Sequence, residues 1–561
     1  MLQNTSEVWT TTCLVVYDIK FDELSEPLNQ VKQLSFYVPC MQNQGESVIL
    51  QERSDILPAF AVRKRRLFLN PYLLTFFSGV MLLLSFPPFD LHFLVWFALV
   101  PFFCALANCR AEKREKWGVA YRDGQLLGGL MGIVFYYGSL YWIFNILGIL
   151  AAFLIAVLCL YVLIFAHILK FVLTRTRTGF ALLYAPPLLW TAMEYFKSEG
   201  WWLKFSWMNL GYSQHNFLPT LQFASILGQY GISFMIVLVN SAIAALILHR
   251  KDKIAFTASL AVLGLSAGIM ALVGTHSLRE HYAPNISVGL VQDESSDFSA
   301  YARITRQLDN ATQFILWPEY AVPEFLEEEP DLVNRLSDLA RQENSYLILG
   351  GKSRAQEYSS QLRARLMKRR GYPTAEIDSI LKCYNTAFLF SPQGQMVGKY
   401  YKNNPIQFFS DGVAGKTFPV FETEFGKVGI LICYDADYSY VARRLTRNGA
   451  EMLFIPTYDA IHWSALQHKQ HSAMTSMRAT ENGRFVARAA TSGISQIIDP
   501  KGRVTKSLEI GQTGGTTGSI QLMQGLTLYT RYGFVFPYTC IIASLVMVLL
   551  AYLRKSPSLP A

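Results

Sequence analysis

Eight apolar runs govern what this chain can fold into. Seven precede residue 280, at about 71–87, 91–108, 125–146, 149–173, 179–196, 222–248 and 254–275; the eighth lies at about 533–553. Several approach the roughly 20 apolar residues a helix needs to cross a bilayer, where each backbone polar group must be satisfied inside its own segment. The order predicts a polytopic α-helical membrane domain of about eight transmembrane helices, interrupted by a polar insert at 276–532.

Charge fixes an expected orientation. Only 16% of the residues are charged, and the net charge is +9. The basic residues do not form a nucleic-acid-binding surface in the sequence; they cluster beside the apolar runs, at Arg63–Arg66, Arg110–Lys116, Arg175/Arg177, Arg250–Lys253 and Arg554/Lys555. With eight spans all five clusters fall on one side, which the positive-inside rule makes cytoplasmic. The insert then lies outside the cell membrane. The expected divisions are an N-terminal cytoplasmic extension at 1–66, seven helices at 67–278, the insert at 279–528, and an eighth helix with a cytoplasmic tail at 529–561.

The insert reads as α/β. Short β-type runs recur ("ISVGLVQ", "FILWPE", "SYLILGG", "NTAFLFSPQG", "KVGILIC", "EMLFIPT", "RFVARAA", "GISQIIDPKG"), with helical patterns such as "DLVNRLSDLARQ" and "SYVARRLTRNG" between them. "SPQGQMVGKY" and "DPKGRVTKSL" read as turns joining strand pairs. Strands alternating with helices predict packed αββα layers. The eight cysteines show no C-x-x-C and no zinc spacing; only Cys383 and Cys433 fall in the insert, so no disulfide framework is expected.

Three stretches of the insert carry reactive groups. "ILWPEYAVPE" places Glu319 just after an apolar strand, "VGKYYKNNP" places Lys399 and Lys402 after another, and "GILICYDADY" places Cys433 at the end of a third. Residue type alone leaves Cys433 open between core filler and nucleophile. A base to take its proton and a cation to stabilise developing charge would make it a nucleophile.

The order "WPE…YYK…ICYD" resembles the nitrilase, or carbon–nitrogen hydrolase, superfamily. "LSFPPFDLHFLVWFALVPFF", "WMNLGYSQ", "LGQYGISFMIVLVNSAIAAL", "MRATENGRFVARAATSGISQIIDPKGRV" and "YTRYGFVFPY" narrow the resemblance to bacterial apolipoprotein N-acyltransferases over about residues 70–555. It implies a nitrilase-like domain inserted between the seventh and eighth helices on the periplasmic side of the inner membrane, a monomer, and no cofactor or metal. The implied catalytic residues are Glu319 as general base, Lys402 as the oxyanion-stabilising cation and Cys433 as nucleophile; Tyr434, Asp435 and Trp207 are the implied substrate-binding positions. The implied reaction moves an acyl chain from a phospholipid to the Cys thiol, and from there to the α-amine of a diacylglyceryl-cysteine lipoprotein. The alternatives are a membrane-tethered amidase with the same triad and an inactive lipid-binding homologue.

Four departures from the family pattern cluster around the substrate side of the site. The family's "HLVPFGE" is here "NNPIQFFSDG", with Ser410 where a second glutamate is usual and Asp411 next to it, so a site without its second carboxylate is expected. The segment between Lys402 and Cys433 is also short, which predicts a lid cut to a stub. The usual "NDAWF" is "YDAIH", and "SSDFSAYA" stands where a tryptophan is usual. Elsewhere, Trp201, Trp202 and Trp207 suit a lipid-facing aromatic belt. His462, His468 and His471 look like a metal cluster only by proximity in sequence. Arg478 and Glu481, at i, i+3 spacing, read as a structural ion pair, and Asp435 as either an orienter of Lys402 or a helix cap.

Overall fold

The computed structural model describes residues 70–554 apart from 110–111, 115–117, 121, 177–178, 356–382, 407–408 and 410. The extension at 1–66, the Arg63–Arg66 cluster and Ser410 therefore lie outside the described residues.

Four helices are long and apolar enough to cross a membrane: Leu150–Thr176, Ala224–Leu248, Lys253–Ser277 and Val535–Leu553. The sequence pattern counts eight spans; the other apolar runs are shorter or broken. Pro71–Leu84 begins at Asn70, whose side chain accepts from the Tyr72 N–H, with Pro71 in the first helical position. The run at 91–108 splits into short helices ending at Val100–Asn108. The run at 125–146 is interrupted by a π-turn at Ile133–Tyr137. The helices turn apolar side chains outward: Phe153 is 79% and Leu272 70% exposed. Such a surface is stable against hydrocarbon rather than water.

Residues 286–520 form two six-stranded sheets. We number the strands β1 (Ile286–Gln292), β2 (Phe314–Leu316), β3 (Tyr346–Arg354), β4 (Cys383–Phe390), β5 (Met396–Tyr401), β6 (Val420–Thr423), β7 (Gly426–Ile430), β8 (Met452–Thr457), β9 (Phe485–Ala490), β10 (Ser495–Ile498), β11 (Val504–Leu508) and β12 (Gly514–Ile520). One sheet runs β12-β1-β2-β3-β4-β5 and the other β11-β10-β9-β8-β7-β6. Their inner faces meet in a single apolar layer that includes Leu290, Phe314, Ile348, Ile430, Phe454 and Ala487. Helices Phe298–Thr305 and Pro330–Gln342 cover one outer face, and Ser439–Arg447 and Ala465–Asn482 the other. This is the expected αββα order. All eight β-type runs are strands, and the two expected strand pairs are β4–β5 and β10–β11.

The α/β domain sits on the helices through buried polar contacts. The helix Ala224–Leu248 is broken at Gly228, at φ 71°, where a Cβ would come within 2.5 Å of the Tyr529 ring. That break aims the Gln229 N–H at Glu481 (2.9 Å). Glu481 in turn pairs with Arg478 at 2.9 Å, and Arg478 donates to the Tyr212 hydroxyl. The expected ion pair is therefore present, fully buried, and part of the joint between helices and sheets.

Candidate active site

The reactive residues come together because each follows a strand whose end reaches one rim of the sandwich, the usual position for sites in α/β sheets. Glu319 follows β2 by three residues, Lys402 directly follows β5, and Cys433 follows β7. Cys433 opens a tight turn, Cys433–Asp437, at φ 47°. A non-glycine residue in that region is strained, and the turn points its side chain away from the strand axis into the rim.

Lys402 is the centre of the cluster. Its Nζ donates to Glu319 Oε1 (2.8 Å) and Asp411 Oδ2 (2.7 Å), and all three side chains are buried. Asn385, on β4, donates to both carboxylates, to Glu319 Oε1 and Asp411 Oδ1, each at 2.6 Å. The Tyr320 hydroxyl and the Ile406 N–H also donate to Asp411. The second oxygen of Glu319 accepts the Tyr458 N–H (2.9 Å), and the Tyr458 carbonyl faces the Cys433 sulfur at 3.8 Å. Glu319 and Cys433 thus flank one peptide segment, 458, from opposite ends.

The electrostatics follow from burial and pairing. Burial foremost, then the Glu319 charge, holds the Cys433 thiol well above its ordinary value. Burial also raises Glu319, although Lys402 pulls it back. Burial opposes the charged form of Lys402, but Asp411 and Glu319 together more than reverse this and hold it well above the usual lysine range. Asp411 is lowered: burial raises it, and the Lys402 ammonium with its hydrogen bonds outweighs that. The resting cluster is a neutral thiol and an ammonium held between the Glu319 carboxyl group and the ionised Asp411. A thiol this hard to ionise needs a neighbouring base at the moment of attack.

Two cavities meet at Cys433. One is apolar and runs toward the membrane helices between Trp142, Ile143, Ile146, Leu154 and Trp207. The other carries the polar groups of Glu319, Tyr320, Lys352, Lys402 and Asp411 on its wall. Ile406, Phe409 and Trp463 belong to both walls and divide them; the Phe409 and Trp463 rings stack with centroids 6.2 Å apart.

Residues 78–242 match the model of the apolipoprotein N-acyltransferase N-terminal domain, and residues 290–525 match that of the carbon-nitrogen hydrolase. The apolipoprotein N-acyltransferase of Geobacter metallireducens is 28% identical over 550 residues, covering 89% of this chain and 98% of its own length. That of Chlorobaculum tepidum is 24% identical over 546 residues, covering 87% and 98%. Two family models and these relatives thus liken most of the chain to apolipoprotein N-acyltransferases. Among solved structures, an amidase from Nesterenkonia sp. aligns with a TM-score of 0.33 at 18% identity, over 45% of this chain and 94% of that one.

Several expectations drawn from the apolipoprotein N-acyltransferase pattern need correction. The site does not lack a second carboxylate. Asp411 supplies it, one residue beyond the aligned position, because the short turn from Lys402 folds back and brings Asp411 against the Lys402 ammonium. Asp435 does not touch Lys402. It accepts from the Tyr400 hydroxyl (2.7 Å), the Asn404 N–H (2.7 Å) and the Ile432 N–H (3.2 Å), so it closes the turn after Cys433 and clamps the chain on either side of Lys402. Lys399 pairs with Glu327 at the surface.

Trp207 is not in a lipid-facing belt: it is 3% exposed, whereas Trp202 is 73% exposed. Its indole N–H donates to Asp437 (2.5 Å), and its ring stacks on His471 and lies against Trp142. Trp207 and Tyr434 both line the apolar cavity. The three histidines do not converge. His468 contacts the Ala460 carbonyl, whereas His471 lies between Asp459 (2.8 Å) and Asp437 (3.4 Å). Asn385, Asp411 and Tyr458 went unread in the sequence as site residues; only Asp411, beside the position where a glutamate is usual, left a signal there.

Proposed function

We propose that this chain is an apolipoprotein N-acyltransferase in which Cys433 carries the acyl group, Glu319 moves the protons and Lys402 stabilises the oxyanion. The observation that carries the reading is the position of Cys433 where an apolar cavity from the membrane helices meets a polar one holding the carboxylates and lysine. An acyl chain fits the first cavity, and its ester carbonyl then lies at the sulfur. The fixed geometry turns a lateral encounter in the bilayer into a positioned reaction.

The Cys433 sulfur attacks the sn-1 ester carbon of a phospholipid as Glu319 takes the thiol proton. The tetrahedral oxyanion forms beside the Lys402 ammonium, a buried donor held by two carboxylates before the reaction begins. Collapse breaks the ester C–O bond; Glu319 returns the proton to the departing glycerol oxygen, and a lysophospholipid leaves. The α-amine of a diacylglyceryl-cysteine lipoprotein then attacks the thioester and gives a proton to Glu319. The C–S bond breaks, the amide forms, and the proton returns to the thiolate. The aromatic pair of Phe409 and Trp463, which stack between the two cavities, would favour amine over water as the acceptor. An amidase acting on small polar amides has no use for the apolar cavity.

In this reading eight helices span a bacterial inner membrane. The basic clusters face the cytoplasm, the α/β domain stands on the periplasmic side, and the enzyme works as a monomer. Trp207, Tyr434 and the helix residues Ile146 and Leu154 contact the acyl chain. The test is intact-protein mass spectrometry of the detergent-solubilised chain after incubation with phospholipid. A mass increase of one fatty acyl group, released by hydroxylamine and absent in a folded Cys433→Ala variant, is expected. No adduct on folded wild-type protein with any phospholipid would overturn the reading.

A further inference from the structure

The acyl-transfer reading leaves one charged group on the wall of the polar cavity without a task. Lys352 lies near the end of β3, directly opposite Asn385 in the antiparallel β3–β4 pairing. Paired residues in such a ladder project from the same face. Asn385 is the residue that bridges Glu319 and Asp411, so Lys352 stands beside the catalytic cluster. It is half-buried, and its ammonium lies 5.7 Å from the centroid of the Tyr320 ring. That ring separates it from Asp411, to which the Tyr320 hydroxyl donates. Among the described residues no carboxylate pairs with Lys352, whereas Lys402 is held between two.

The position of this cation matches the chemistry of the donor. When the acyl chain occupies the apolar cavity and its ester carbon lies at Cys433, the glycerol and its phosphate extend away from that cavity into the polar one. The one ammonium of the fixed cluster, Lys402, is already engaged by Glu319 and Asp411 and leaves no free cation for a phosphate. Lys352 supplies one on the same wall. The lipoprotein amine, a cation before it loses its proton, finds no partner in a lysine. We propose that Lys352 binds the phosphate of the phospholipid donor and makes this site prefer phosphorylated glycerolipid over neutral glycerolipid as the acyl source; this rests on the acyl-transfer reading above.

The test compares two donors with identical acyl chains, phosphatidylglycerol and diacylglycerol. Both offer the same sn-1 ester; only the first carries a phosphate. The rate of thioester formation on Cys433 is followed by intact mass in mixed detergent micelles, for the full chain and for Lys352→Met and Lys352→Arg. A half-buried charge-assisted contact predicts that Lys352→Met lowers the phosphatidylglycerol-to-diacylglycerol rate ratio about fivefold, while Lys352→Arg retains it. An unchanged ratio in Lys352→Met overturns the subsite and leaves acyl transfer standing, as does an equal loss with both donors. Wild-type protein that forms no adduct with either donor overturns acyl transfer and the subsite together.

Discussion

The substitution Asp411→Asn isolates what the unanticipated carboxylate does. Four donors converge on Asp411: Tyr320 Oη and Asn385 Nδ2 on Oδ1, Lys402 Nζ and the Ile406 N–H on Oδ2. A carboxylate can accept all four. An asparagine of the same shape offers one oxygen, and its NH2 must face either the Tyr320–Asn385 side or the Lys402–Ile406 side. The first orientation is the less costly, since a tyrosine hydroxyl can turn to accept, but it sets two amide NH2 groups against each other and leaves Lys402 one carboxylate short. Removing one partner of a buried ion pair costs about 3–5 kcal/mol, which for a domain of this size lowers the apparent melting temperature by about 10 °C. Lys402 is then released from one of its two anchors, and thioester formation should fall about 10²- to 10³-fold, the loss typical of a misplaced oxyanion donor. The assay is single-turnover acylation of Cys433 with phospholipid, read by mass, beside a thermal melt in the same detergent. Tyr320→Phe, which deletes one donor and spares Lys402, should cost about 1 kcal/mol and little rate. An Asp411→Asn protein that acylates at the wild-type rate would refute the claim that Asp411 holds Lys402 in place.

Two further predictions concern the apolar side. His471 lies between Asp459 and Asp437, with the Arg488 guanidinium against both Asp459 and the His471 Nδ1 (3.1 Å); burial works against its charge, but Asp459 and then Asp437 hold its pKa up at about 9, from an ordinary 6.5. Because the folded value is raised, this stabilisation is complete below about pH 6.5 and is lost as pH rises through about 9; the interval corresponds to about 3 kcal/mol. Melts between pH 6 and 9.5 should fall more steeply for wild type than for His471→Gln, and parallel curves would refute the assignment. Leu154→Trp adds bulk to the wall of the apolar cavity and should shift donor preference toward shorter acyl chains by at least several-fold, measured by competition between dilauroyl and dipalmitoyl phospholipid; an unchanged chain-length profile would place the acyl chain elsewhere.

The α/β architecture was legible because its strands are short apolar runs bounded by turn residues, and the reactive Glu319, Lys402 and Cys433 sit where such runs end. Strand β12, "GGTTGSI", was not: it is rich in glycine and threonine and pairs at the sheet edge with β1, so its β character depends on a partner more than 200 residues away in sequence. The run at 125–146 reads as one span, yet a π-turn breaks it, since hydropathy senses composition and not the backbone hydrogen-bond register. Asp411 was misread because alignment compares positions along the chain, while the lysine senses positions in space. Asp437 gave no signal, and His471 only that of an apparent metal cluster; the turn after β7 and the helix Ala465–Asn482 bring the two together from separate elements.

The short lid marks where local sequence and function part company. A thioester next to a polar cavity would hydrolyse unless water is kept from it, and a long mobile segment is one way of doing that. Here the same requirement falls on the side chains between the two cavities. Ile406 and Phe409 come from the turn that also delivers Asp411, and Trp463 comes from the loop that carries Tyr458, whose N–H and carbonyl face Glu319 and Cys433. Partition and acid–base machinery therefore share two short loops. A variant that displaces the Phe409–Trp463 stack, such as Trp463→Ala, is therefore expected to slow acylation of Cys433 as well as to admit water to the thioester, and unchanged single-turnover acylation would refute that link.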